Sequence, residues 1–321
     1  MANSTTSFNP SVMMLGFGEM TSIKYLYCVL VIIWYVMIIL CNSAVIAVII
    51  LCKTLQKPMY IFIFTLCLNG LYGSFAFYPS LFINLLQDVQ TISYVGCIVQ
   101  DFAINTYVGC ETAILAVMGF DRYVSICNPL RYNTIMALTT VYKLITTVWM
   151  YPFILITIHV LLTIRLPLCE STILKIYCDN WSIVRLSCVN TGLNNIYGIF
   201  VMIAILLIMP LLVFISYAEI LRECVRSSKD FRSKALQTCA PHLISITNFL
   251  VDVLFEVTVY RFTPTNLPYA LRVFMSVNFL VVPPLLNPLI YGFKMQEIRI
   301  KIFNIFLQKT SQLKWLPPDS P

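Results

Sequence analysis

YLYCVLVIIWYVMIILCNSAVIAVIILC, residues 25 to 52, contains no Asp, Glu, Lys, Arg or His and is closed at each end by a lysine, Lys24 and Lys53. Wound as an α-helix it reaches about 40 Å, more than the roughly 30 Å of hydrocarbon in a bilayer. Such a helix is apolar all round, with no polar face to turn to water. The pattern then repeats. From Lys57 to Asp88 no charge intervenes, Asp101 to Asp121 encloses only Glu111, and Lys143 to Arg165 encloses only His159. Arg185 to Glu219, Lys234 to Asp252 and Arg272 to Lys294 complete seven runs.

Composition agrees with this spacing. Of 321 residues 59% are hydrophobic and 11% charged, far from the roughly quarter-charged makeup of soluble domains. Within lipid every backbone polar group needs a partner inside the protein, and these runs lack the alternation of barrel strands, so they are expected to be helices. The fold class is therefore all-α: a seven-transmembrane helix bundle with a short amphipathic carboxyl-terminal helix. One domain is expected, without repeats: an outer tail over 1–23, the bundle over 24–292, and a cytoplasmic helix and tail over 293–321.

Lysine and arginine orient the bundle. With the amino tail outside, Lys24, Arg165, Lys175, Arg185, Arg261 and Arg272 fall on the outer side, and the other 15 of the 21 lie towards the cytosol. The net charge of +7 is then a topology signal; no basic patch or motif supports nucleic-acid binding. The first 23 residues lack a basic start followed by an apolar core, so the first span is expected to serve as its own insertion signal in a multi-pass plasma-membrane protein. Asn3 in the tail and Asn180 in the outer connection over 165–191 each begin an Asn-x-Ser/Thr glycosylation acceptor.

Four cysteines face the oxidising side: Cys97, Cys169, Cys178 and Cys188. Four thiols allow three pairings, and the spacing does not choose among them. A zinc site is the weaker reading, because neither a neighbouring His nor a short C-x-x-C spacing accompanies them.

Motifs then narrow the class. MGFDRYVSICNPLRY at 118–132, Asn42 in the first span, PMYIFIFTLCLNGLYG from Pro58, Trp149, SKALQTCAPHL from Ser233 and PPLLNPLIYGF from Pro283 occur in one order along nearly the whole chain. Together they resemble class A G-protein-coupled receptors, and the KALQTCAPH element resembles odorant receptors in particular. NGLYG after PMYIF looks like the fish-type members. The resemblance implies that a small-molecule odorant binds between the helices and that a heterotrimeric G protein of the stimulatory olfactory type is activated, with arrestin and a receptor kinase as further partners. It implies no cofactor, no catalytic or metal residue, and membrane lipid as the surroundings. It also implies the pairings Cys97 with Cys178 and Cys169 with Cys188.

By the same resemblance Asp121, Arg122, Tyr123, His242, Asn287, Pro288 and Tyr291 form the coupling switch. Physical chemistry supports part of this independently. Asp121 and Arg122 partly neutralise each other where each alone is costly, and Pro288 removes a backbone donor and so breaks its helix. As isolated residues, Arg122 equally fits an interfacial anchor and His242 a packing role. Glu111, an acid inside a span, is a functional suspect by default. The family's second-span Asp is Gly70 here, with Asn69 beside it, which puts a sodium site in doubt. Glu111 is expected to be protonated or hydrogen-bonded to Asn42 or Asn287. The ligand wall implied by the family comprises Ile104, Asn105, Val108, Gly109, Val253, Leu254, Val257, Val277 and Leu280. Asp252 and Glu256 share a helix face, with three readings: attracting a cationic ligand, pairing with Arg261 or Arg272, or reaching outward from the helix end.

Two other classes fit less well. A transporter is disfavoured by the lack of repeated halves or of matched broken spans. An enzyme is disfavoured because two histidines in different halves of their helices form no metal constellation and G-x-S-x-G is missing. A class A receptor for a non-odorant ligand is the nearer alternative.

Overall fold

The computed structural model describes residues 11–14, 24–262, 269–295 and 297–301. Seven long helices carry the chain: α1 (Lys24–Leu51), α2 (Pro58–Leu86), α3 (Tyr94–Cys127), α4 (Leu138–Ile164), α5 (Gly192–Arg226), α6 (Lys229–Phe262) and α7 (Tyr269–Lys294). Six of them have the length and apolarity to cross a membrane, and α7 contributes the shorter apolar stretch Val277–Gly292. This is a seven-helix bundle in a multi-pass membrane protein. Lipid takes the place of water around it, which is why Phe75, Phe214 and Ile196 are about 70% exposed without being anomalous.

Local chemistry sets the helix starts. Pro58 opens α2, where its missing N–H is one of the donors a first turn leaves unpaired anyway. Ser93 caps α3, its hydroxyl accepting from the Gly96 N–H at 3.1 Å. α3 runs through the middle and is the most buried helix, while α1 sits at the edge against α2 and α7. Contacts of α2 with α7, α6 with α7, and α4 with α5 close the ring. Close approach needs glycine at two places: a Cβ on Gly73 would lie 2.5 Å from the Tyr107 ring, and one on Gly109 2.6 Å from Pro152.

A small sheet closes the end that the charge distribution assigns to the outside. Its strands are β1 (Ser11–Met14), β2 (Thr91–Ser93) and β3 (Thr172–Ile173), in the order β2-β1-β3. β1 is antiparallel to β2, with Val12 opposite Ile92, and parallel to β3, with Met13 opposite Thr172. Val12 and Met14 are buried while Met13 is 40% exposed, the period-2 alternation of a half-covered strand. The tail expected over 1–23 thus contributes a strand to this sheet. The outer connection also holds a short helix, Asn180–Val184, and is tied down by the disulfides Cys97–Cys178 and Cys169–Cys188.

At the opposite end the basic stretch RECVRSSKDFRSK, 222–234, is mostly helix. Only Ser227 and Ser228 separate α5 from α6, so both helices run on past the apolar spans. Residues 297–301 are helical, with Ile298 buried between exposed Glu297 and Arg299, which begins the expected carboxyl-terminal helix.

Candidate functional site

Proline chemistry organises the centre of the bundle. Pro283 and Pro288 have no N–H, so the carbonyls four residues earlier, Phe279 and Pro284, lose their helical partners. Both find others. Tyr107 of α3 donates its hydroxyl to the Phe279 carbonyl at 3.2 Å, and Asn42 of α1 donates Nδ2 to the Pro284 carbonyl at 2.8 Å. The expected break at Pro288 does not appear: α7 stays helical from Tyr269 to Lys294, and the two freed carbonyls are taken up by α1 and α3.

Beside it, Glu111 accepts from Asn287 Nδ2 at 2.6 Å and from Asn69 Nδ2 at 2.7 Å. Of the two expected partners Asn287 is present and Asn42 is not, because the Asn42 amide is committed to Pro284. Asn69 takes that place, one position before Gly70, which faces Asn42 Oδ1 and Pro284.

Towards the inner end, His242 Nε2 lies 2.8 Å from the Leu115 carbonyl and Nδ1 2.7 Å from the Tyr217 hydroxyl. A carbonyl only accepts, so Nε2 carries a proton, and in the neutral ring Tyr217 donates to Nδ1. One buried imidazole therefore joins α6 to α3 and α5. Further along α3, Arg122 Nη2 pairs with Asp121 Oδ2 at 3.1 Å. The Tyr132 hydroxyl donates to Asp121 Oδ1 at 2.8 Å, and burial beside that carboxylate pushes the Tyr132 phenol well above its usual range, keeping it a donor. Tyr123 packs on the cluster of Ile220, Cys224, Ala235 and Cys239, and Tyr291 is buried in the main core.

At the outer end a cavity of about 180 Å³ opens between α3, α4, α5, α6, α7 and the outer connection. Ile104, Asn105, Val108, Val253 and Val257 line it, as expected from sequence. Four expected wall residues do not. Gly109 lies against Pro152 and Ile205, Leu254 is 46% exposed on the lipid side, and Val277 and Leu280 pack in the core. A one-residue step along a helix turns a side chain by about 100°, which separates Val253 from Leu254.

Residues from the connection that no helix pattern marks complete the wall: Lys175, Tyr177, Asp179, Asn180 and Trp181, with His159, Phe279 and Glu256 from the helices. The disulfide at Cys178, in the middle of this segment, is the sequence signal that it folds inward. Neither Asp252 nor Glu256 reaches outward. Asp252 accepts from Asn278 at 2.6 Å, and Glu256 accepts from Lys175 at 2.8 Å and Tyr177 at 2.6 Å. The side chains of Arg261 and Arg272 lie outside the described residues, as does Asn3. Asn180 is not an open glycosylation acceptor: it is 5% exposed, and its Nδ2 donates to Asp101 at 3.1 Å and Thr163 at 2.9 Å.

Comparison with known proteins places this geometry. The family model described as "Olfactory receptor" matches residues 30–309, from α1 to beyond α7. Human Olfactory receptor 51I2 is 36% identical over 255 residues, 79% of this chain and 81% of its own length. Human Olfactory receptor 52D1 is 33% identical over 280 residues, 86% and 88%, and human Olfactory receptor 52B2 is 32% identical over 297 residues, 92% of each. A match that spans the helices bearing the Asp121–Arg122 pair, the Glu111 network and the proline-rich α7 means that this chain belongs to the olfactory receptor family.

Proposed function

We propose that this odorant receptor binds a small chemical in the outer cavity and passes its occupancy to a stimulatory olfactory G protein at the Asp121–Arg122 end. The amino tail lies outside the cell and the carboxyl tail in the cytosol. Supporting this reading is one observation above the rest: α3 and α6 both line the cavity, through Val108 and Val253, and the same two helices are clamped near the other end by His242 on the Leu115 carbonyl. A ligand that favours one arrangement of those walls changes the strain on that clamp, and only such a preference shifts the balance of states. The cavity, at about 180 Å³, is below the roughly 300–1,000 Å³ of sites for drug-sized ligands, which suits a small odorant.

Arg122 acts as a latch, held by Asp121 in one state and released to the G protein in the other, with Asn287, Pro288 and Tyr291 as the hinge of α7. Arrestin and a receptor kinase act at the same cytosolic end. The receptor works by this rearrangement and makes or breaks no bond of its ligand. The test is a cyclic-AMP assay against an odorant panel in cells carrying the olfactory stimulatory G protein. The expected result is a concentration-dependent response that Val108→Trp, which fills the cavity, abolishes at equal surface density. A response untouched by that substitution contradicts the reading.

A further inference from the structure

Glu256 lines the outer cavity, is 5% exposed, and uses only one of its two carboxylate oxygens. Oε1 accepts from Lys175 Nζ and the Tyr177 hydroxyl, while Oε2 is buried with no hydrogen-bond partner. Buried polar atoms almost always have partners, and one left over at a cavity wall marks where a donor is missing.

Charge around the cavity points the same way. Lys175 Nζ also lies 3.2 Å from Asp179, which lines the cavity too, so one ammonium faces two carboxylates. Just behind the wall Asp101, fully buried, is met by the amides of Asn105 and Asn180, which are neutral donors. Among the described residues Lys175 is the only lysine or arginine on the cavity wall. The second basic side chain there, His159, is turned to the Tyr197 ring, 5.8 Å between centroids. Among the described wall residues two carboxylates, Asp179 and Glu256, thus face one ammonium. An anionic ligand has to draw Lys175 away from two carboxylates, and a neutral one leaves the excess in place. A cation with N–H donors meets both needs, and the remaining wall of Ile104, Val108, Val253, Val257 and Phe279 suits an alkyl or aryl group.

Resting on the reading of this cavity as the odorant site, we infer that the receptor's ligands are small primary amines in the ammonium form. The ammonium is held on Glu256 Oε2, and the hydrocarbon lies against Val108, Val253 and Phe279.

The experiment uses the full chain in the cyclic-AMP assay with matched sets on one carbon skeleton: amine, alcohol and carboxylic acid, in straight-chain and benzyl series, normalised to surface density. Amines are expected to be the most potent members of each set. Glu256→Gln, which keeps the size but not the charge, raises their half-maximal concentration about tenfold or more relative to the alcohols, the loss that goes with one charge-assisted hydrogen bond. Lys175→Met guards against a merely structural effect, because it frees Glu256 Oε1; amine potency is retained or improved. The inference is overturned if acids or alcohols are the potent members, if Glu256→Gln weakens all three classes equally, or if amines elicit no response. In the first two cases loss of the response in Val108→Trp shows that the cavity still binds ligand and only the ligand class is wrong. A response to any class that survives Val108→Trp removes the cavity itself.

Discussion

Asn42 and Tyr107 each answer a proline in another helix, and the energetic consequence is local. Removing the donor leaves a buried carbonyl without a partner, which costs about 1–3 kcal/mol. Asn42→Leu and Tyr107→Phe are therefore expected to lower the melting temperature of the detergent-solubilised receptor by several degrees. Thr157→Val, which removes a hydroxyl on the exposed face of α4, changes it little. Equal melting of all three would show that the carbonyls of Phe279 and Pro284 find other donors. Part of this was legible in the sequence. Asn42, Pro288 and Glu111 stand out because polar groups and prolines inside apolar runs need explaining. Their pairing was legible only in part: Asn287 is the expected partner of Glu111, but that Asn69 is the other depends on the rotation of α2, and Asn69 differs from Gly70 by about 100° around the helix.

Helices α3, α5 and α6 converge towards the inner end, where His242 of α6 joins them through the Leu115 carbonyl and the Tyr217 hydroxyl, with the Asp121–Arg122 pair further along α3. If Asp121, itself held by the Tyr132 hydroxyl, keeps Arg122 in the quiet state, Asp121→Asn removes the charge partner and is expected to raise ligand-independent cyclic AMP about tenfold, the effect of some 1.4 kcal/mol on a two-state balance. Unchanged or lower basal signal at equal surface density would mean that the pair is an anchor. Hydropathy located these helices well, because the charge-free runs end where lipid ends. It does not reach their extension beyond the apolar spans, because RECVRSSKDFRSK is charged; the stretch stays mostly helical because it has neither glycine nor proline and its Glu, Arg and Lys are good helix formers, and the Glu219–Arg222 pair at 3.7 Å lies on that extension. Similarly, β1 is too short for a periodic signal, and its partners lie about 80 and 160 residues away.

Across the whole molecule, the small sheet and the Asp121–Arg122 pair sit at opposite ends of one bundle. The Cys97–Cys178 disulfide closes a loop of 81 residues and fixes to α3 the segment that carries Lys175, Tyr177 and Asp179. Loss of a disulfide of this kind costs about 2–5 kcal/mol, so Cys97→Ser is expected to remove the receptor from the cell surface; normal surface density in that variant would contradict the role given to the disulfide. Seven crossings also require the two tails to lie on different sides. Epitope tags at each terminus, stained in intact and then permeabilised cells, test this directly. The expected result is an amino-terminal tag visible in intact cells and a carboxyl-terminal tag visible only after permeabilisation. Staining of both tags in intact cells, or of neither, would contradict the account.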